Sequence, residues 1–380
     1  MKHILYLITF SFITVPAFAQ QVNDALLLDY YQNQRYVEAY NYLKSTYTEP
    51  ISDLKALSRL AYTSQKAGML PDAEGYYQRM YNLDSTNTAV LYNLAAVNQN
   101  RGRYSKAEIY YKKIITTDTT DYKVYEQLAS MRFKKLDTVA GVNYLKKANK
   151  LNPTAFDIAS ELADYLIELK QFEPAQKILA IALAADPENT VLLERSLEIA
   201  YGLNRWTQVI KTGEYLLSLY DDSKRLKLGI AYYRTKNYTC GLETLMAIHK
   251  DDQNENSYYF TAACYKQLKD QKAAIPYFKK AIDQNLKYAY FASNYYSEMA
   301  DCYQQLGQFK KAETTFKKSL LYDQSPSLTY YAMAVFYDIN LNDKKNALLH
   351  YKKYLATNSG DQNGDYNNYS KSRVAALSVH

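Results

Sequence analysis

Residues 89–118 read AVLYNLAAVNQNRGRYSKAEIYYKKIITTD. On either side of a short polar break, apolar and small residues fall three and four apart. That spacing places them on one face of a helix. The stretch therefore reads as two amphipathic helices joined by a tight turn. The same arrangement recurs at residues 259–282, YFTAACYKQLKDQKAAIPYFKKAI, and at residues 295–320, YYSEMADCYQQLGQFKKAETTFKKSL. Self-similarity of this kind marks an array of units, each burying its apolar face against its neighbours.

Working outward, the small residue that anchors the second helix recurs at Ala39, Ala73, Ala107, Gly141 and Ala175, a step of 34 residues. The series continues less regularly at Val209, Gly241, Ala274, Ala312 and Ala347. Small residues in the first helix keep the same register at Ala61, Ala95, Ala129, Ala163, Gly229, Ala262, Ala300 and Ala334. Small side chains at both places let paired helices approach closely. Larger ones such as Leu94, Tyr111, Leu128, Phe278 and Phe316 fill the space around them. Aromatics at the turn (Tyr36, Tyr104, Phe172, Trp206, Tyr238 and Phe309) are expected to wedge one unit against the next. Gly68, Gly102 and Gly307 sit where first helices end and a left-handed residue is wanted. Pro71 and Pro174 fall near the start of second helices, whereas Pro153 and Pro187 follow and stop them. The sixth unit departs from the pattern, with Ser196, Leu197, Val209 and Gly213 at core slots, and reads as a possible kink. Pro276 lies inside a second helix and should cost it one backbone hydrogen bond.

This pattern resembles the tetratricopeptide repeat family. Leu228-Gly229-Ile230-Ala231-Tyr232 matches its first-helix signature, and Leu151-Asn152-Pro153 and Ala185-Asp186-Pro187 match its closing turn. The resemblance spans about residues 20–357. It implies an all-α fold, a right-handed α-solenoid of about ten helix-turn-helix units. After Thr357 the pattern stops. Residues 358–380 read as a polar loop, Asn358 to Asn368, and a short capping helix, Tyr369 to Val379, with Val374 and Leu377 on one side.

Composition agrees with such an array. The 380 residues include only 11 Gly and 8 Pro, too few for the turns of an all-β sandwich or barrel. Tyr numbers 42, and its apolar ring with a polar tip suits half-buried surfaces and interfaces. The formal charge of +7 is spread along the chain, which does not indicate nucleic-acid binding. The first 19 residues, MKHILYLITFSFITVPAFA, combine a short basic start, an apolar run and Ala17-Phe18-Ala19. They read as a signal peptide cut after Ala19. The expected location is outside the cytoplasm, in the periplasm or secreted, with membrane contact peripheral at most.

The search for chemistry is thin. Cys240, Cys264 and Cys302 are odd in number and far apart, so they read as packing residues. His249, His350 and His380 lie at no catalytic or metal-binding spacing, and there is no Gly-rich phosphate loop. Asp361-x-Asn363-x-Asp365 begins like a calcium loop but has Tyr366 and Ser372 where Gly and Glu are required. No enzyme activity, cofactor or metal is expected. A Lys-Lys pair follows the large second-helix residue in five units, at 112–113, 146–147, 279–280, 317–318 and 352–353. It reads as a solvated outer face in preference to a basic ladder for an acidic polymer or anionic lipid.

In the family, first helices line a groove that holds an extended peptide or a partner helix. Its groove slots fall on Tyr62, Tyr92, Phe133, Tyr201, Tyr233, Tyr259 and Tyr331. Its inward slots in units four to six fall on Glu126, Asp157, Asp164, Glu168, Glu194 and Glu198, an acidic middle expected to attract a basic partner. The Lys and Asn set with which one subfamily grips C-terminal carboxylates is missing. The reading is a non-enzymatic scaffold in the cell envelope that binds a protein or peptide partner. The alternative is a carbohydrate-handling accessory whose groove tyrosines stack on glycan.

Overall fold

The computed structural model describes residues 22–284, 289–357 and 364–378. The signal-peptide reading of residues 1–19 and the Asp361 and Asn363 pair lie outside the described residues. Everything regular within them is helical, and the chain forms two compact units, Met1–Tyr165 and Leu166–His380.

The first unit holds the pairs α1 (Asp24–Gln32) and α2 (Tyr36–Thr46), α3 (Leu54–Lys66) and α4 (Leu70–Leu83), α5 (Thr88–Asn100) and α6 (Tyr104–Thr117), and α7 (Tyr122–Lys134) and α8 (Thr138–Leu151), then most of α9 (Phe156–Glu168). The second holds α10 (Phe172–Ala185), α11 (Thr190–Gly202) and α12 (Trp206–Ser218), α13 (Arg225–Arg234) and α14 (Tyr238–Met246), α15 (Glu255–Gln267) and α16 (Gln271–Gln284), α17 (Ala289–Gln305) and α18 (Phe309–Tyr322), and α19 (Ser327–Val335) and α20 (Lys344–Thr357), closed by α21 (Gly364–Leu377).

Local chemistry sets these boundaries. Several first helices start on an Asn or Asp whose side chain accepts from the first-turn backbone: Asn23, Asp53, Asn87, Asp121, Asn189 and Asn254. First helices end on a left-handed residue that closes the turn. Met69 N donates to Ser64 O at 2.8 Å, and Arg103 N donates to Asn98 O at 2.8 Å. Gly68, Gly102 and Gly307 take φ of 76°, 71° and 69°, as the sequence predicts. The same slot is left-handed at Gln34, Leu136, Lys170, Asn204, Lys236, Lys269 and Asn342, so the turn geometry outweighs the residue's own preference. A β-carbon added at Gly102 would meet no atom within 4 Å, and neither would one at Gly75 inside α4. The two substitutions should therefore differ in sign. Gly102→Ala is expected to destabilise by about 1–2 kcal/mol through backbone strain alone. Gly75→Ala should stabilise by about 0.5–1 kcal/mol. Denaturant midpoints of the two variants check this pair.

All ten second-helix anchors and all eight small first-helix residues are buried. At Gly141 a β-carbon would fall inside the Phe133 ring, and at Gly229 it would lie 2.6 Å from Leu245. The sixth unit is an unbroken pair, with Leu197 and Val209 fully buried and Gly213 leaving room for Leu228. Pro276 is accommodated within α16.

The capping helix begins at Gly364, inside the stretch read as a loop. Tertiary contacts override the Asn- and Asp-rich composition there. Tyr366 packs 4.6 Å from Tyr331, and Arg373 donates from Nε and Nη2 to the two oxygens of Asp338, each at 2.7 Å. Leu377 is buried in the core of the second unit, and Val374 packs against that core.

Candidate functional site

In the first unit, Tyr62 on α3 is 42% exposed, lies edge-on to Tyr31 at 5.8 Å and sits beneath Lys66. Tyr92 on α5 is half-buried and meets Tyr111 edge-on at 5.6 Å. Burial, then the nearby Asp121 and Glu126, hold its hydroxyl above the usual range. Phe133 on α7 stacks on Tyr165 at 4.6 Å and covers Gly141, so its ring packs one helix pair together.

Glu126 on α7 and Asp157 and Asp164 on α9 share one electrostatic field with Glu161, a residue the sequence reading missed. Desolvation, then Asp157 and Glu161, raise the Glu126 carboxyl. Desolvation, then Asp157 and Asp164, raise that of Glu161. Glu161 lies one helical turn beyond Asp157, and that spacing was the signal available for it. Asp157 also accepts from the backbone of Ile158 at 2.9 Å.

The acids of the second unit are arranged differently. Glu168 is exposed. Glu194 on α11 is within 3.1 Å of Lys224 and 3.2 Å of Arg195 and accepts from Ser223 Oγ at 2.9 Å. Glu198 pairs with Lys227 and lies 3.8 Å from Lys224. Lys224 and Lys227 stand at the start of α13 and neutralise both carboxylates. At these two of the six acids the charge expected from the sequence is offset by basic neighbours. An acid and a base one unit apart in sequence meet on neighbouring helices and spend their charge on each other.

Tyr201 on α11 lies edge-on to Trp206 at 5.4 Å and beneath Lys227. Tyr233 on α13 meets Phe260 edge-on at 5.4 Å, and burial pushes its hydroxyl up to about 12. Tyr259 on α15 lies 4.8 Å from Tyr295 and accepts from Asn294 Nδ2 at 3.4 Å. Tyr331 on α19 has Tyr366 and Tyr369 of the capping helix against it.

Sequence reasoning also missed a first-helix pocket of about 340 Å³ between α15, α17 and α19. Lys266 lies in it, with Nζ at 2.7 Å from Glu298 and 2.5 Å from Asp301. Burial works against the Lys266 ammonium, but the two carboxylates outweigh it and raise its pKa. Tyr331, Val335 and Phe316 form the apolar side. A first-unit hollow of about 580 Å³ lies between α1, α3 and the loop preceding α3, where Arg59 reaches Asp24 at 2.6 Å.

On the second helices, all ten lysines of the Lys-Lys pairs are exposed, as a solvated face requires. The second lysine of each lies over a tyrosine ring: Lys113 over Tyr81 at 4.7 Å, Lys147 over Tyr125 at 5.7 Å, Lys280 over Tyr258 at 5.3 Å, Lys318 over Tyr296 at 5.9 Å and Lys353 over Tyr330 at 5.4 Å. The ring face attracts the ammonium. Two of the first lysines are also engaged, Lys112 with Glu108 at 2.8 Å and Lys317 with Glu313 at 2.7 Å.

Cys264 and Cys302 are buried, with thiols pushed up to about 12 by burial. His350 is buried with Nδ1 2.8 Å from Asn346 O, and burial lowers its pKa. No group of His, Cys, Asp and Glu that could hold a metal occurs among the described residues.

One tetratricopeptide repeat family model matches residues 137–193, and another matches residues 88–121, 255–288 and 293–326. No curated protein matches the sequence. Among solved structures, a tetratricopeptide repeat protein from Parabacteroides merdae is similar at 16% identity and a TM-score of 0.42, covering 61% of this chain and 93% of that one. The Cut9–Hcn1 hetero-tetramer of the APC/C is similar at 15% and 0.44, covering 92% and 69%. Yeast Tom70 is similar at 14% and 0.39, covering 94% and 96%. Three of the four matched segments fall on the pairs α5–α6, α15–α16 and α17–α18 and the fourth runs from α8 into α11, all in one register of buried small residues, and the chain is a tetratricopeptide-repeat protein, a fold that serves as a protein-interaction scaffold.

Proposed function

We propose that the chain is a non-enzymatic scaffold of the cell envelope that holds an extended peptide or partner helix along its first-helix face. The observation that carries this reading is the recurrence of partly exposed aromatics on first helices, Tyr62 and Tyr92 in the first unit and Tyr201, Tyr233 and Tyr259 in the second. Partly exposed aromatics of this kind supply most of the energy at interfaces. Glu126, Asp157 and Glu161 favour a basic segment over the first unit, and Glu168 over the second. Glycan stacking finds less support, because it takes an open ring face, and Lys66 lies over the Tyr62 ring and Lys227 over the Tyr201 ring.

The role needs no catalysis, so His249→Ala and His350→Ala should leave partner binding intact. Export rests on residues 1–19. Mature protein from fractionated cells should begin near Gln20, and full-length chain in the cytosol would refute it. The binding reading is tested by titrating the partner purified from the envelope. Tyr62→Ala with Tyr92→Ala should weaken it at least ten-fold. Glu126→Gln with Asp157→Asn should flatten its salt dependence. A cation lowers the raised carboxyl pKa values when it binds, so affinity should fall as the pH drops toward them. Affinity unchanged in both double variants would count against the first-helix face.

A further inference from the structure

The pocket between α15, α17 and α19 carries more charge chemistry than its helices need for packing. Lys266 is only 16% exposed, whereas Glu298 and Asp301 keep 33% and 35% of their side-chain surface open. The ammonium is tucked beneath, and the carboxylates face outward. Each carboxylate spends one oxygen on Lys266, Glu298 through Oε2 and Asp301 through Oδ2, which also accepts from Gln305 at 2.9 Å. Glu298 Oε1 and Asp301 Oδ1 have no partner among the described residues. A carboxylate offers about four lone-pair sites, so both retain acceptor capacity. Two carboxylates against one ammonium leave the pocket one charge negative. Beside them, Tyr331, Ala332 and Val335 on α19 and Phe316 on α18 supply an apolar wall.

We infer that this pocket binds the guanidinium or ammonium of an arginine or lysine in an extended partner segment. The alkyl stem lies along Val335, Ala332 and Phe316, and the cationic head takes the open oxygens of Glu298 and Asp301. Charge complementarity selects the occupant. A long basic side chain pairs an apolar stem with a cationic tip, as the pocket pairs an apolar wall with acceptors. Glu298 and Asp301 are one helical turn apart on α17, and a planar guanidinium fork can meet both. Lys266 acts as a positioning residue that fixes the two carboxylates. This inference rests on the first-helix reading and adds the chemical class that one subsite recognises.

The test is a methyl-resolved NMR titration of the full chain with the methylamide of Nα-acetylarginine, its citrulline counterpart and its lysine counterpart. The Ala332 and Val335 methyl resonances report the pocket. The arginine and lysine probes should move them saturably, with dissociation constants at least ten-fold tighter than citrulline at low salt. That preference should shrink at high salt. Glu298→Gln and Asp301→Asn are made singly, so that Lys266 keeps one carboxylate. Each should weaken the arginine probe about three- to ten-fold while the rest of the methyl spectrum stays in place. Equal shifts from arginine and citrulline, or none from arginine, would overturn the assignment even if a native partner still binds the first helices elsewhere. The salt and citrulline arms use the unmodified chain, so the result does not depend on the variants folding.

Discussion

Replacing Glu108 with alanine is expected to destabilise the first unit by about 2–3 kcal/mol, the range for losing charge-assisted hydrogen bonds to a buried carboxylate. Glu108 on α6 is 7% exposed and holds Lys112 at 2.8 Å, Lys135 at 2.9 Å and Arg132. Lys135 and Arg132 come from the end of α7 and the turn after it, so the carboxylate ties two helix pairs together. Without it, Arg132 and Lys135, 24% and 30% exposed, lose their shared carboxylate. Burial pushes the Glu108 carboxyl up, and Lys112, Lys135 and Arg132 outweigh it and bring it down to about 2. A carboxyl depressed by folding stabilises fully above its unfolded pKa, about 4.3, and stops doing so as the pH falls through its folded value. The gap between parent and variant should therefore narrow between about pH 4.3 and 2. A gap that does not change with pH would mean that Glu108 packs without acting as an anion. Lys112→Ala, which removes only one half-exposed member, should cost no more than about 1 kcal/mol.

The second large effect is expected at the end of the chain. Arg373→Ala should cost about 2–3 kcal/mol, the range for charge-assisted hydrogen bonds to a buried carboxylate. Asp338 is 7% exposed, lies in the π-helical turn Phe336–Asn340 and also accepts from Tyr351 at 3.2 Å. The Arg373 bonds, then burial acting against them, set its carboxyl below the ordinary range. An array needs its open end covered. The loss should therefore appear as faster hydrogen exchange in α19, α20 and α21, with α10 and α11 little changed. Uniform acceleration across the second unit would show instead that its stability is not divided by repeat.

Much of the fold was legible because its signal is periodic. Ala39, Ala73, Ala107, Gly141 and Ala175 each occupy the same buried slot of the second helix, and at Gly141 even a β-carbon would meet the Phe133 ring. The first-helix face was legible only as a set of slots. Phe133 and Tyr331 have the right spacing, yet a stack on Tyr165 and the tyrosines of α21 engage them. The pairing of Glu194 and Glu198 with Lys224 and Lys227 joins residues about one unit apart. A reading along single helices does not see it. The same holds for Lys266 with Glu298 and Asp301, and for the lysines that lie over tyrosine rings. Those rings account for part of the tyrosine excess. The capping helix was read short because Asn367 and Asn368 suggest a loop, while Arg373 and Tyr366 bind the segment into a helix from a distance.

The proposed function is partner binding on the first helices. It is tested most directly by placing a photo-crosslinking amino acid at one position per variant and irradiating the native cells. Tyr62 and Gln304 sample the first-helix face in the two units, and Lys146 and Lys279 sample the second helices. A discrete adduct from Tyr62 or Gln304, missing at Lys146 and Lys279, is the predicted result. Adducts confined to Lys146 and Lys279 would contradict it.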